Sequence, residues 1–305
     1  MIRYAAAAIG IALLTACASG SNGASGIPPQ APTIRAPLRA ALREAPRGAV
    51  TESVICNLGT KRPDGLEPDT DLTLFHGVLY GGTYADNVDG PRGAIYSVTT
   101  SGTEAVVQIL KAKEARVLGG ALALGPKRSG GGLAFYAPGD FNSGNLGTVL
   151  EITPSGKITV LHAFAGGSDG EEPVGALAPV NGTFYGTTAE GGGTTHCRKR
   201  GCGTVYSITT AGDETPIYRF TGRGDGEYPA AGLLDVNGTL FGTTESGGAY
   251  DDGTIFSVTT SGVETVLHSF GSADGEFPVS ALIELNGSLY GTTRGGGRFR
   301  RRSGI

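Results

Sequence analysis

Three near-copies of an acidic turn are the part of this sequence best equipped for chemistry. They are Asp169-Gly170-Glu171-Glu172-Pro173, Asp225-Gly226-Glu227-Tyr228-Pro229 and Asp274-Gly275-Glu276-Phe277-Pro278, and a fourth Asp-Gly pair stands at Asp64-Gly65. An aspartate two residues before a glutamate can offer oxygens to a hard cation. Calcium, however, takes about six to eight oxygen ligands, and each turn carries two carboxylates without a D-x-D-x-D run. The reading favoured by residue type is structural: Asp accepts backbone N–H groups, Gly takes positive φ and Pro opens the next strand. If the copies share one rim, Asp64, Asp169, Asp225 and Asp274 also form a ring of weak sites for a sugar or peptide.

Other reactive residues are explained more simply. His162 in "VLHAF" and His268 in "VLHSF" hold equivalent places, and Tyr218 fills that place in another copy. A catalytic base is normally unique, so these are expected to be packed strand residues. The threonines of the recurring Gly-Thr-Thr favour strands by β-branching. A nucleophile would need a unique neighbouring base, and none is visible. No catalytic residue is therefore assigned. Cys197 and Cys202, in "CRKRGC", are expected to close a small disulfide loop in an exported chain. Zinc would need a fuller ligand set, and only His196 is near. Neither metal nor cofactor is expected. Cys56 reads as a small buried hydrophobe.

The elements that must position these residues repeat. Aligned on the aromatic of "LYGTT"-like segments, the copies fall at Tyr80, Tyr136, Tyr185, Phe241 and Tyr290, spaced 56, 49, 56 and 49. Periods of this length indicate an array or propeller. The Asp-Gly pair precedes the aromatic by 16 residues at Asp64, Asp169, Asp225 and Asp274, whereas the second copy has Gly120 at that spacing. After the aromatic comes a glycine opening an apolar run, as in "GTVYSITTAG" and "GTIFSVTTSG". Asn-Gly at 181–182, 237–238 and 286–287 is the strongest two-residue hairpin signal. The glycine after the aromatic (Gly186, Gly242, Gly291) is expected where strands crowd near a ring axis.

The resulting expectation is an all-β fold, a β-propeller of about five four-stranded blades with the last incomplete. A β-solenoid is the rival, but it usually lacks paired hairpin turns. The strand-like segment 52–58 is expected to pair with the C-terminal hairpin and close the ring. The ending "GGGRFRRRSGI" matches no other copy, as a truncated or frame-shifted end would not.

The first residues read as a targeting segment. Arg3 and the ten-residue apolar stretch "AAAAIGIALL" lead into Leu14-Thr15-Ala16-Cys17, which resembles a bacterial lipobox. By that resemblance residues 1–16 are a signal peptide and Cys17 carries the acyl chains. An ordinary secretory signal cut near Ala18 is the alternative. Residues 17–50 then form an acylated cysteine and a flexible Ala/Pro/Gly-rich tether, and 51–305 the repeat domain. Ala18 after the cysteine is similar to outer-membrane sorting signals. With 53 glycines, few charged residues and a net charge of −4, no basic face for nucleic acid is implied.

The combination of Asp-Gly-x-x-Pro, "LYGTT", "GG" and "GT-V/I-F/Y" over roughly 54–297 resembles the tandem repeat of choice-of-anchor GloVer-containing proteins. The second copy departs most, with "FYAPG" in place of "LYGTT". The resemblance implies surface attachment and supplies no catalytic residues. Two function classes follow. The first is a membrane-anchored extracytoplasmic binding or scaffold module, at the outer membrane or cell surface, for a glycan or protein ligand. The second is a propeller enzyme of lyase or lactonase type, because "GTVLEITPSGKITVL" (147–161) is similar to blades of streptogramin-lyase-like proteins. Repetition of the polar residues favours binding.

Overall fold

The computed structural model describes residues 66–85, 93–111, 113–127, 132–140, 146–193, 197 and 200–297. Cys17, the tether, segment 52–58, Cys56, Asp64 and His196 lie outside the described residues.

The first blade comprises β1 (Leu66–Pro68), β2 (Thr73–Phe75), β3 (Val78–Ala85), β4 (Ala94–Thr99) and β5 (Glu104–Ile109). The second has β6 (Ala123–Pro126), β7 (Leu133–Gly139), β8 (Thr148–Ile152) and β9 (Ile158–Ala163). In the third are β10 (Glu171–Val180), β11 (Thr183–Glu190), β12 (Thr204–Thr209) and β13 (Glu214–Arg219). The fourth contains β14 (Glu227–Pro229), β15 (Leu234–Val236), β16 (Thr239–Ser246), β17 (Thr254–Thr259) and β18 (Glu264–Ser269). A fifth holds β19 (Glu276–Pro278), β20 (Ile283–Leu285), β21 (Ser288–Tyr290) and β22 (Thr293–Gly295).

Each of the first four blades is an antiparallel meander. β1 with β2, and β14 with β15, are halves of one interrupted first strand, both pairing with the second strand of their blade. In the third blade that strand is continuous but shifts register between Val174 and Ala178. The fifth blade pairs β19 with β22 and β20 with β21, a single bent hairpin. Successive sheets pack on one another, β7 on β10, β11 on β14 and β16 on β19. This is a β-propeller, all-β among the described residues.

The hairpins form where the sequence signals them. Asn181-Gly182, Asn237-Gly238 and Asn286-Gly287 all have positive φ at both residues, as a type I′ turn requires, and His76-Gly77 does the same. Gly-Thr-Thr has a separate role for each residue. A Cβ on Gly186 would lie 2.5 Å from the Tyr206 hydroxyl, so glycine lets the neighbouring strand's aromatic lie beneath it. The same holds at Gly242, where the ring of Phe256 in the same blade comes closest. The first threonine reaches the next blade, Thr187 Oγ1 donating to the Ala231 carbonyl at 3.0 Å and Thr243 Oγ1 to Ser280 at 3.3 Å. The second meets the adjacent strand, Thr188 with Thr204 and Thr244 with Thr254, each pair 2.8 Å apart.

Apolar packing lies between blades rather than within them. Phe75 and Tyr80 pack on Phe135 of the next blade, Tyr136 stacks on Phe184 at 4.3 Å, and Phe220 meets Phe256 edge-on at 5.1 Å. Such pairs contribute about 0.5–1.5 kcal/mol beyond their buried area. A blade alone would leave these faces in water, which is why the unit has to repeat. On the fifth blade Ile283 and Leu285 are exposed, whereas Ala178 and Val180 at the equivalent places of the third are buried.

Candidate functional site

The Asp-Gly loops join the last strand of one blade to the first of the next, at the rim where second strands end. Their aspartates accept hydrogen bonds from their own loops. Asp169 takes the Ala165 N–H at 2.6 Å, Asp225 the Thr221 N–H at 2.8 Å and hydroxyl at 2.9 Å, and Asp274 the Gly271 N–H at 2.9 Å. The second blade has the same device with a different acid: Glu114 Oε2 accepts the Lys111 N–H at 3.0 Å. Glu114 lies 22 residues before Tyr136 because that blade's first hairpin is six residues longer, so a fixed spacing pointed to Gly120 instead.

Each loop acid also meets the ring residue of the preceding strand. His162 Nε2 is 3.3 Å from Asp169 Oδ2, the Tyr218 hydroxyl donates to Asp225 Oδ2 at 2.8 Å, and His268 Nε2 is 2.9 Å from Asp274 Oδ2. The sequence placed the rings and acids in separate elements; the fold pairs them. Two of the pairs gain a glutamate from the last strand of the following blade. Glu214 Oε2 is 4.0 Å from His162 Nε2. Its carboxyl is pushed up to about 8, first by burial and then by the adjacent Asp169 carboxylate. Glu264 is pushed up to about 7 by burial and by Asp225, with the Tyr218 hydroxyl opposing the shift.

Closer to the first strands, the same rim carries side chains that differ from blade to blade. The residue before the proline of each acidic turn is a non-glycine in the left-handed region: Glu172 at φ 60°, Tyr228 at 58° and Phe277 at 56°. Such conformations cost on the order of 1–3 kcal/mol unless their surroundings enforce them. Here they do. The three N–H groups donate to Leu146, Cys202 and Asp252 carbonyls of the preceding blade at 2.8, 3.0 and 2.9 Å.

This backbone brings Tyr228 Oη to Glu172 Oε1 at 3.2 Å, across a blade boundary. Glu190 pairs with Arg200 at 3.0 Å, and Glu245 with Arg294 of the fifth blade at 3.2 Å. Burial and the nearby Glu190 raise the Glu172 carboxyl above its ordinary value, and Tyr228 is pushed up to about 12 by burial and by Glu172. Glu190 also faces Glu171, whose carboxyl is raised mainly by burial and held back by Arg200. Farther round, Arg116 donates to the Tyr84 hydroxyl at 3.1 Å and lies over its ring.

Residue-type reasoning missed this group because it looked for repeated motifs. The usable signal was the opposite one: positions that vary inside a constant frame. Tyr84, Asp140, Glu245 and Arg294 all stand four residues after the aligned aromatic.

Cys197 and Cys202 form a disulfide with a Cα–Cα distance of 5.0 Å, buried beside Phe220 in the packing between the third and fourth blades. Neither sulfur is a thiolate ligand, although Glu227 is close to both.

Fold and rim define a bladed repeat protein of the propeller class. The chain belongs to the Gloeobacter/Verrucomicrobia repeat family, whose pattern matches residues 127–304. No curated protein sequence matches it. Among solved structures it is similar to an arabinoxylan arabinofuranohydrolase from Bacillus subtilis, at 17% identity and a TM-score of 0.43, covering 74% of this chain and 57% of that one. It is also similar to a β-xylosidase/α-arabinofuranosidase from a compost microbial metagenome, at 13% identity, a TM-score of 0.41 and coverage of 73% and 83%. A third is an α-L-arabinofuranosidase from Clostridium thermocellum, at 15% identity, a TM-score of 0.40 and coverage of 73% and 80%. Likenesses this distant assign no activity.

Proposed function

We propose that this chain is a lipid-anchored extracytoplasmic binding module whose contact face is the variable rim, and that its ligand is a glycan. The observation that carries the reading is the Tyr228–Glu172 hydrogen bond, made between two left-handed non-glycine residues of successive blades. The left-handed backbone of both residues aims one blade's side chain at another's, and strain of this kind clusters at ligand sites. Carboxylates at Glu172, Glu190 and Glu245 accept hydrogen bonds, Arg200 and Arg294 donate them, and Tyr228 offers a ring face with a polar tip. Alternating acceptors and donors beside an aromatic suit the hydroxyl pattern of a sugar. Anchoring rests on Leu14-Thr15-Ala16-Cys17: multiple acyl chains hold a protein on a membrane far more stably than one.

A glycan array probed with the detergent-solubilised full chain tests the first part. Saturable binding that drops at least about tenfold, roughly 1.4 kcal/mol, in a Glu172→Gln/Tyr228→Ala double variant is expected; undiminished binding by that variant would sink the rim reading. For the anchor, Cys17→Ser should move the protein out of the membrane fraction and abolish palmitate labelling.

The enzyme reading keeps one supporting observation. Glu172, with its raised carboxyl, stands near Glu190, which pairs with Arg200, and carboxyls pushed apart in pKa can divide acid and base roles. Turnover of an arrayed glycan, abolished by Glu172→Gln, would replace the binding assignment.

A further inference from the structure

We propose that the boundary between the second and third blades is a divalent transition-metal site, with His162 Nε2, an Asp169 carboxylate oxygen and a Glu214 carboxylate oxygen as its protein ligands. The three residues come from β9, the loop after it and the start of β13, and their ligand atoms lie within 4.8 Å of one another. His162 Nε2 is 3.2 Å from Asp169 Oδ1 and 4.0 Å from Glu214 Oε2. Donors about 2.0–2.2 Å from a zinc-sized ion are separated by about 3–4 Å across a tetrahedral or octahedral edge or diagonal. Both separations from His162 Nε2 fall in that range.

A second observation points the same way. The Glu214 side chain is only 4% exposed, and its Oε1 is buried with no hydrogen-bond partner. Glu214 and Asp169 also meet side by side, and two acids held together repel when both ionise, a repulsion that a cation between Glu214, Asp169 and His162 would relieve. The donor set is two carboxyls and one imidazole, and Glu214 gives up its proton to ligate, as metal binding requires of its ligands. The opposing cation in the neighbourhood is Arg219, whose Nε donates to the Ser168 carbonyl at 3.0 Å. His162 and Asp169 are each about one-fifth exposed, which leaves a solvent side for water ligands and for entry. Orientation is supplied from outside the triad: the His162 ring lies edge-on to Phe164 at 4.8 Å, and Asp169 is fixed by the Ala165 N–H. One nitrogen with two carboxylates favours zinc, manganese or ferrous iron over calcium, which prefers oxygen ligands alone.

The other described boundaries lack the full set. Tyr218 replaces the histidine between the third and fourth blades, and Gln108, Glu114 and Ile158 occupy the three places between the first and second.

The test is titration of the EDTA-stripped full chain with Zn²⁺ and Mn²⁺ by calorimetry, with Co²⁺ absorption reporting a nitrogen–oxygen ligand field. One ion per chain is expected. His162→Ala and Glu214→Gln should each weaken binding by at least the roughly 10- to 100-fold that loss of even an indirect partner costs, while His268→Ala leaves it unchanged. Glu214→Gln preserves side-chain shape, so a loss there with an unchanged circular dichroism spectrum is a loss of ligation. Absence of saturable binding up to about 1 mM, or wild-type affinity in Glu214→Gln, overturns the assignment.

Discussion

The boundary between the second and third blades and the one between the third and fourth share a framework and differ in one ring. In the first, His162 faces Asp169 and Glu214; in the second, Tyr218 faces Asp225 and Glu264. Tyrosine brings a hydroxyl that donates to Asp225 and fills the space between acids. Imidazole brings a nitrogen lone pair in place of that hydroxyl, while Glu214 and Glu264 alike keep one buried carboxyl oxygen without a hydrogen-bond partner. The second boundary has a further brace, the Cys197–Cys202 disulfide set against Phe220. On the proposed assignment, the same scaffolding carries a closed joint in one place and a ligand set in the other.

Exchanging the rings should produce the largest effects. His162→Tyr is expected to abolish the proposed metal binding, while Tyr218→His adds a second ion per chain in the calorimetric titration. A Tyr218→His variant that still binds one ion would show that more than the ring distinguishes the two joints.

Removing the brace comes next. Cys197→Ser with Cys202→Ser should lower unfolding free energy by about 2 kcal/mol, the chain-entropy value for so small a loop, measured by urea denaturation. A loss several-fold smaller would mean that packing around Phe220 holds the joint unaided.

The closed joint should also respond to pH. Burial, and then the adjacent Asp225 carboxylate, push the Glu264 carboxyl up from its ordinary 4.5 to about 7. The folded state therefore holds a proton that the unfolded chain releases, so stability falls as pH rises from about 4.5 to 7 and levels off above that. Glu264→Gln should flatten part of this slope in thermal melts between pH 5 and 8 and raise the melting temperature at pH 8. An unchanged slope would assign the decline to the other raised carboxyls, Glu171, Glu172 and Glu214.

The smallest expected change belongs to the rim. Tyr228→Phe removes one partly buried hydrogen bond to Glu172, worth about 0.5–1.5 kcal/mol in stability, yet it should reduce glycan binding measurably. Equal affinity on the array would confine Tyr228 to packing.

Much of the fold was legible because its determinants are local. Asn-Gly selects a type I′ turn wherever it stands, and alternating apolar runs with fixed glycine spacing set strand lengths and order. The loop acid of the second copy, Glu114, was missed because spacing counts residues, whereas a longer hairpin leaves the pairing of Leu118 with Gly139 intact. The acidic turns were read for what they are, but their partners were not, since His162, Asp169 and Glu214 are brought together only when two blades stack.

From the sequence alone followed the bladed all-β repeat, the hairpin positions, the turn role of the Asp-Gly loops and the expectation of a Cys197–Cys202 link, all fixed by neighbours within a few residues. Tertiary structure decided which acid meets which ring, which glutamate is buried against them, and that Glu172 touches Tyr228 from 56 residues away. Those contacts cross blade boundaries, where burial and Coulomb interaction depend on distance in space and leave no mark in residue spacing.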